Sequence, residues 1–253
     1  MTSLRTRCIS YIRPGTCDSY QDTLLAVDAA LKEQEIPYRH MLLDSWWYGE
    51  GVHGGAWMWE DVPECVNISF PQTMRSFREQ LGADKVLWVH NGKWTKDSPY
   101  REQYPFVPDG PPQGREVWDH LFKANHEGWG LETIKQDHMG QQIGSTAGGQ
   151  TNVSVLKSWL VGMGEGAAAN NVSVLYCCAP PNVHMTGVSV PAAFAVRASP
   201  DYVWAPSDGH VLKLPTVQWA IGPDNAFHWN GLGLLPYKDT FFSNASGSPL
   251  APE

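Results

Sequence analysis

The chain has 253 residues, a formal net charge of −8 and no cluster of Lys or Arg, which argues against nucleic acid and anionic membrane as partners. An apolar fraction of 42% is enough for a sizeable core, and no run of about 18 apolar residues is present to span a bilayer. The length suits one large domain, and a closed α/β barrel needs about 250 residues.

The start, MTSLRTRCISYIRPG, lacks the apolar stretch of a signal peptide and runs into a strand-like CISYI at 8–12. The expectation is a cytosolic chain or part of a longer one. DTLLAVDAALKEQ (22–34) has apolar residues at helical spacing, and HMLLDSWWY (40–48) reads as a buried strand with a polar end. FPQTMRSFREQLG (70–82) reads as a helix stopped by Gly, and KVLWVHNGKW (85–94) as a strand. REVWDHLFKANHEGW (115–129) is a predicted helix and LETIKQDHM (131–139) a strand. TNVSVLKSWLVGMGEGA (151–167) is a predicted helix capped near Thr151 or Asn152. VSVLYCCAP (172–180) is a strand, and VPAAFAVRASPDYVW (190–204) holds a helix end and a further strand. VLKLPTVQWAIG (211–222) and LGLLPYKDTFF (232–242) are assigned as the last two strands.

Strands alternating with helices imply parallel βαβ units. Eight of them in this length fit a single (β/α)8 TIM barrel over residues 1–253 better than a doubly wound sheet. No GxGxxG follows a strand and no GxxxxGK[ST] occurs, so nothing points to a dinucleotide or a P-loop. Sequons at Asn67, Asn152, Asn171 and Asn244 tilt the reading toward a secretory route. The 5 cysteines include the adjacent Cys177 and Cys178 but no CxxC, so no structural zinc is expected. The 12 tryptophans supply either core or flat rings able to stack on a sugar face.

In a barrel the chemistry sits at the C-terminal ends of the strands. Those ends carry Asp44-Ser45-Trp46-Trp47, then His90-Asn91-Gly92-Lys93-Trp94, then Lys135-Gln136-Asp137-His138, then Cys177-Cys178, then Arg197 through Asp201. Two carboxylates on separate strands are the minimum for glycoside cleavage, one to attack the anomeric carbon and one to protonate the leaving oxygen. Lys135 and Asp137 stand two apart in one strand, so their side chains share a face. A neighbouring ammonium keeps a carboxylate ionised, as a nucleophile requires. Arg197 could bind a substrate hydroxyl or clamp a carboxylate. Each pair is also open to a plain reading as a structural ion pair.

This ordered set resembles the clan of retaining α-glycosidases that holds the α-galactosidases of glycoside hydrolase families 27 and 36 and, more distantly, family 31. Asp44 with Trp46 and Trp47 matches the second-strand motif, Lys135-Gln136-Asp137 the fourth, Cys177 or Cys178 the fifth, and Arg197 through Asp201 the sixth. The resemblance runs from about residue 8 to 205 and implies Asp137 as nucleophile and Asp201 as acid/base. It further implies that Asp44, Lys135, Cys177 and Arg197 bind the sugar, that Trp46, Trp47 or Trp94 stacks on it, and that no metal or organic cofactor takes part. Ser45 stands where family 27 has a second Asp, Pro200 precedes the acid/base, and little chain after residue 242 remains for a C-terminal β-domain. A truncated or minimal form is therefore expected. The competing readings are a raffinose-synthase-like α-galactosyl transferase and a non-catalytic carbohydrate-binding barrel. Metal-dependent hydrolysis usually needs an HxH after the first strand, where Ile12-Arg13-Pro14 stands instead.

Overall fold

The computed structural model describes residues 19–50, 55–60, 70, 72–190, 192–198 and 225–237. Helix α1 (Tyr20–Glu33) begins at Ser19, whose hydroxyl accepts the Asp22 N–H at 3.1 Å. Strand β1 (His40–Leu43) follows and is shorter than the apolar run suggests, because Asp44 caps a 3-10 turn over Ser45–Trp47. The carboxylate of Asp44 accepts the Ser45 N–H at 2.6 Å and so ends the strand. Strands β2 (Gly49–Glu50) and β3 (Ala56–Met58) form a small antiparallel pair. Helix α2 (Thr73–Leu81) ends at Gly82, with φ 103°. Strand β4 (Val86–Asn91), the short α3 (Tyr100–Gln103) and α4 (Glu116–Trp129) come next. Gly130 closes α4 in the left-handed conformation, its N–H reaching the Asn125 and His126 carbonyls.

The chain continues through β5 (Thr133–Gln136), α5 (Met139–Ser145), α6 (Val153–Ala169), β6 (Ser173–Tyr176), α7 (Pro181–Gly187) and β7 (Ala193–Arg197). A helical stretch over 225–231, α8, leads into β8 (Leu235–Tyr237). Asn152 caps α6 by accepting the Ser154 N–H at 3.0 Å. Among the described residues, no helix is long and apolar enough to cross a membrane.

Among the described residues, six strands form one all-parallel sheet in the order β1-β4-β5-β6-β7-β8. It is a curled, partial TIM-like barrel, with helices between successive strands. All four residues of β5 are buried, as expected for a central strand of a parallel sheet covered on both faces. Leu43, Leu87, Val89, Ile134, Val174 and Val196 are fully buried between the sheet and its helices.

The order corrects one expectation. Leu235–Tyr237 pairs directly with Ala193–Arg197, Arg197 opposite Tyr237. The place beside β7 that chain order gives to 211–222 is therefore taken by β8. The segments expected as strands at 8–12 and 211–222 lie outside the described residues, as do Asp201, Pro200 and Trp204.

Candidate active site

The sheet register brings the polar strand ends to one level. Asn91 pairs with Gln136, Gln136 with Tyr176, and Tyr176 with Val196. The next residues, Asp137, Cys177 and Arg197, therefore stand side by side at the C-terminal edge of the sheet.

Asp137 is buried and its backbone is pinned. Its N–H donates to the Asn91 carbonyl at 2.8 Å, and its carbonyl accepts from Gln136 Nε2 at 3.1 Å and Gln142 Nε2 at 3.2 Å. Its Oδ1 accepts the His138 N–H at 2.6 Å. Its Oδ2 lies 3.3 Å from Lys135 Nζ and 3.5 Å from His90 Nε2. Lys135 Nζ also stands 3.8 Å from Asp44 Oδ2. Tyr48 Oη lies 3.1 Å from His90 Nδ1. The two ring nitrogens of His90 thus link Tyr48 to Asp137, with Nε2 on the carboxylate side and Nδ1 on the phenol side.

Burial works against a charge on Asp137, but the His90 hydrogen bond, the Lys135 ammonium and the His138 N–H outweigh it. Together they hold its carboxyl far below the usual carboxylate range. Asp44 shows the same balance. Burial is outweighed by His90, the Ser45 N–H and Lys135, and its pKa is lowered. Its side chain remains half-exposed, 51% against 11% for Lys135. For Lys135, burial is outweighed by the Asp137 and Asp44 carboxylates, so its pKa is raised.

Next to Asp137, the ends of β6 and β7 open onto a cavity of about 430 Å³. Cys178, Pro181, His184, Arg197, Asn225 and Trp229 are among its lining residues. Arg197 donates to Cys178 Sγ at 3.1 Å. His138 and Cys178 both adopt left-handed backbone, with φ 53° and 47°. Non-glycine residues held there cluster at functional sites.

Among the residues expected from sequence, Asp44, Lys135, Asp137 and Arg197 all stand at this edge. The aromatic expectations need correction. Trp47 is 2% exposed; its indole donates to the His90 carbonyl at 2.8 Å, and its ring meets Trp59 and Trp129 edge-on. Trp94 is buried among Tyr100, Phe106 and Trp118. Neither ring presents a face to a sugar, because the short turn after Asp44 and the loop after β4 fold both into the core. Trp46 is half-buried and stacks on Tyr20 with ring centres 4.1 Å apart. Cys177 is fully buried, and its exposed neighbour Cys178 is the one that lines the cavity.

His90 is named among the strand ends read from sequence but carries no role there, and Tyr48 is not singled out. The signal for His90 was present, a histidine at the C-terminal end of a strand. Nothing in the sequence tied Tyr48 to it. Among the described residues, two sets of potential ligand atoms each lie mutually within 4.8 Å: His90, Asp137 and His138, and Asp137, Cys177 and Cys178.

No family model matches the chain, and no curated protein matches it. Among solved structures it is similar to a xylosidase from Aspergillus niger, with a TM-score of 0.50 and 8% identity over 92% of this chain and 45% of the other. It is also similar to the galactosidase domain of an α-galactosidase-sucrose kinase, AgaSK, at TM-score 0.47 and 11% identity, covering 91% and 37%. The chain thus spans less than half the length of either structure. The likeness to the xylosidase is one of fold.

Proposed function

We propose that this chain is the catalytic (β/α)8 barrel of a retaining α-glycoside hydrolase, α-galactosidase-like in its motifs. Asp137 is the nucleophile and Asp201 the acid/base. The observation that carries the reading is Asp137 itself. It is a rigidly held carboxylate, kept ionised by Lys135 and His90, at the C-terminal edge of a curled parallel sheet and beside a cavity. The shared fold with a xylosidase agrees with this chemistry. Asp201 rests on its place four residues after Arg197.

In the first step an Asp137 oxygen forms a bond to the anomeric carbon as the glycosidic C–O bond breaks, and Asp201 gives its proton to the departing oxygen. Asp201 then takes a proton from water, which displaces Asp137 and restores the original configuration. Asp44, Lys135 and Arg197 bind sugar hydroxyls. The two reacting carboxyls should stand roughly 5–5.5 Å apart, the retaining spacing.

A panel of nitrophenyl α- and β-glycosides tests the reading, with α-galactosides expected to turn over. Asp137→Gly should abolish hydrolysis, and azide should restore turnover and yield the glycosyl azide of inverted configuration. Asp201→Ala should harm substrates with poor leaving groups far more than activated aryl glycosides. Full activity in both variants would remove the pair from the mechanism.

A further inference from the structure

Adjacent residues leaving a strand send their side chains to opposite faces, so the sulfurs of neighbouring cysteines normally diverge. Here they do not. Cys177 is held at the end of β6 by its N–H to the Gln136 carbonyl, at 2.8 Å. Cys178 then turns into the left-handed region at φ 47°, with its carbonyl accepting the Gly140 N–H at 3.0 Å. The turn brings the two Sγ atoms to 3.9 Å. A carboxylate oxygen of Asp137 completes a triangle with every edge within 4.8 Å.

That shape fits a particular ligand. Two thiolates bound at about 2.3 Å to a tetrahedral ion stand about 3.8 Å apart, and a carboxylate oxygen joins at about 2.0–2.2 Å. Two sulfurs and one oxygen select a soft, thiolate-seeking cation over magnesium or calcium. The triangle is open at Cys178. Cys177 is buried, but Cys178 is exposed on the cavity wall.

We propose that Cys177, Cys178 and Asp137 form a binding site for a soft divalent cation of the zinc and cadmium type, and that its occupation blocks the Asp137 carboxylate. Each thiol releases its proton to solvent as its sulfur binds, so one cation displaces two protons and nothing is oxidised or reduced. Two cations already stand against these ligands. Lys135 Nζ is 3.3 Å from Asp137 Oδ2, and the Arg197 guanidinium is 3.1 Å from Cys178 Sγ. Three anionic ligands around a divalent ion leave one negative charge, which the nearby positive charges of Lys135 and Arg197 more than offset from outside. Arg197 gives up its contact with the Cys178 sulfur. The blocking effect rests on the nucleophile reading given above; the binding itself does not.

The experiment titrates the purified full chain with cadmium and follows the ultraviolet thiolate-to-cadmium charge-transfer band. One equivalent should saturate the band. Cys178→Ser, an exposed position that tolerates the change, should abolish it and weaken cadmium binding by at least about tenfold, a loss that even an outer-shell change can bring. A variant with Ser at Cys8, Cys17 and Cys65 should keep the band. A band unchanged by Cys178→Ser would overturn the site. Where the chain hydrolyses a glycoside, cadmium should inhibit the wild type and leave whatever activity Cys178→Ser retains unaffected. Band formation without any hydrolysis would uphold the site and count against the glycosidase. Band formation without inhibition would remove the blocking role and retain the site.

Discussion

Asp137 does its work through its immediate neighbours. A carboxylate that burial alone would neutralise is kept charged by Lys135, His90 and the His138 N–H. Removing one of these must raise its pKa. Lys135→Met should therefore move the acidic limb of the kcat/KM profile toward higher pH and lower kcat/KM, as measured with an activated glycoside across the pH range. An unmoved acidic limb would mean that Lys135 does not tune the nucleophile. His90 acts at one remove. The indoles of Trp47 and Trp59 both donate to its carbonyl, at 2.8 and 3.1 Å, and Tyr48 lies at its ring nitrogen. His90→Ala should lower kcat by about 10²-fold, the scale on which a misplaced reacting group loses rate, while His90→Gln should recover part of that loss. These tryptophans thus serve the site from behind, by fixing the strand end, and not as a stacking platform.

At the scale of elements, helix α6 shows how the barrel layer is closed. It carries Gly162, Gly164 and Gly166, residues that weaken an isolated helix. A methyl group at Gly162 would sit 2.1 Å from the Gly114 carbonyl oxygen, and one at Gly166 would sit 2.7 Å from the Trp118 Cβ. These glycines let α6 lie directly on the start of α4. Gly162→Ala should destabilise the fold by about 1–3 kcal/mol, the usual cost of overpacking, read as a lowered midpoint in thermal or urea unfolding. The gain in helix propensity that alanine brings elsewhere, about 1 kcal/mol, is too small to offset it. If Gly162→Ala stabilises the chain, the close approach of α4 and α6 is wrong.

Over the whole molecule, stability should depend on pH through His184. Burial, with a smaller contribution from His228, pushes its pKa down to about 4, and its ring lies against Trp229. The unfolded chain has its His pKa near about 6.5, so it binds the proton first as pH falls. The stability His184 contributes is complete above that value and is lost as pH drops toward 4, at up to about 1.4 kcal/mol per pH unit. His184→Phe should flatten unfolding midpoints between pH 6.5 and 4; an unchanged slope would assign it to other groups. Legible in the chain alone were the parallel βαβ character, the main alternation of helix and strand from α1 to β6, and the placing of Asp44, Lys135, Asp137 and Arg197 at strand ends; the β2–β3 pair and the short helices α3, α5 and α7 were not. Hydrophobic periodicity and the rule that barrel chemistry follows each strand are both local in the chain. The sequence did not determine the pairing of Leu235–Tyr237 with Ala193–Arg197, because a short apolar run does not encode its neighbour. Nor did it separate the core tryptophans Trp47 and Trp94 from a binding surface, or join His90 to Asp137. Those relations depend on strand register and on which face a turn presents, and only the tertiary structure decides them.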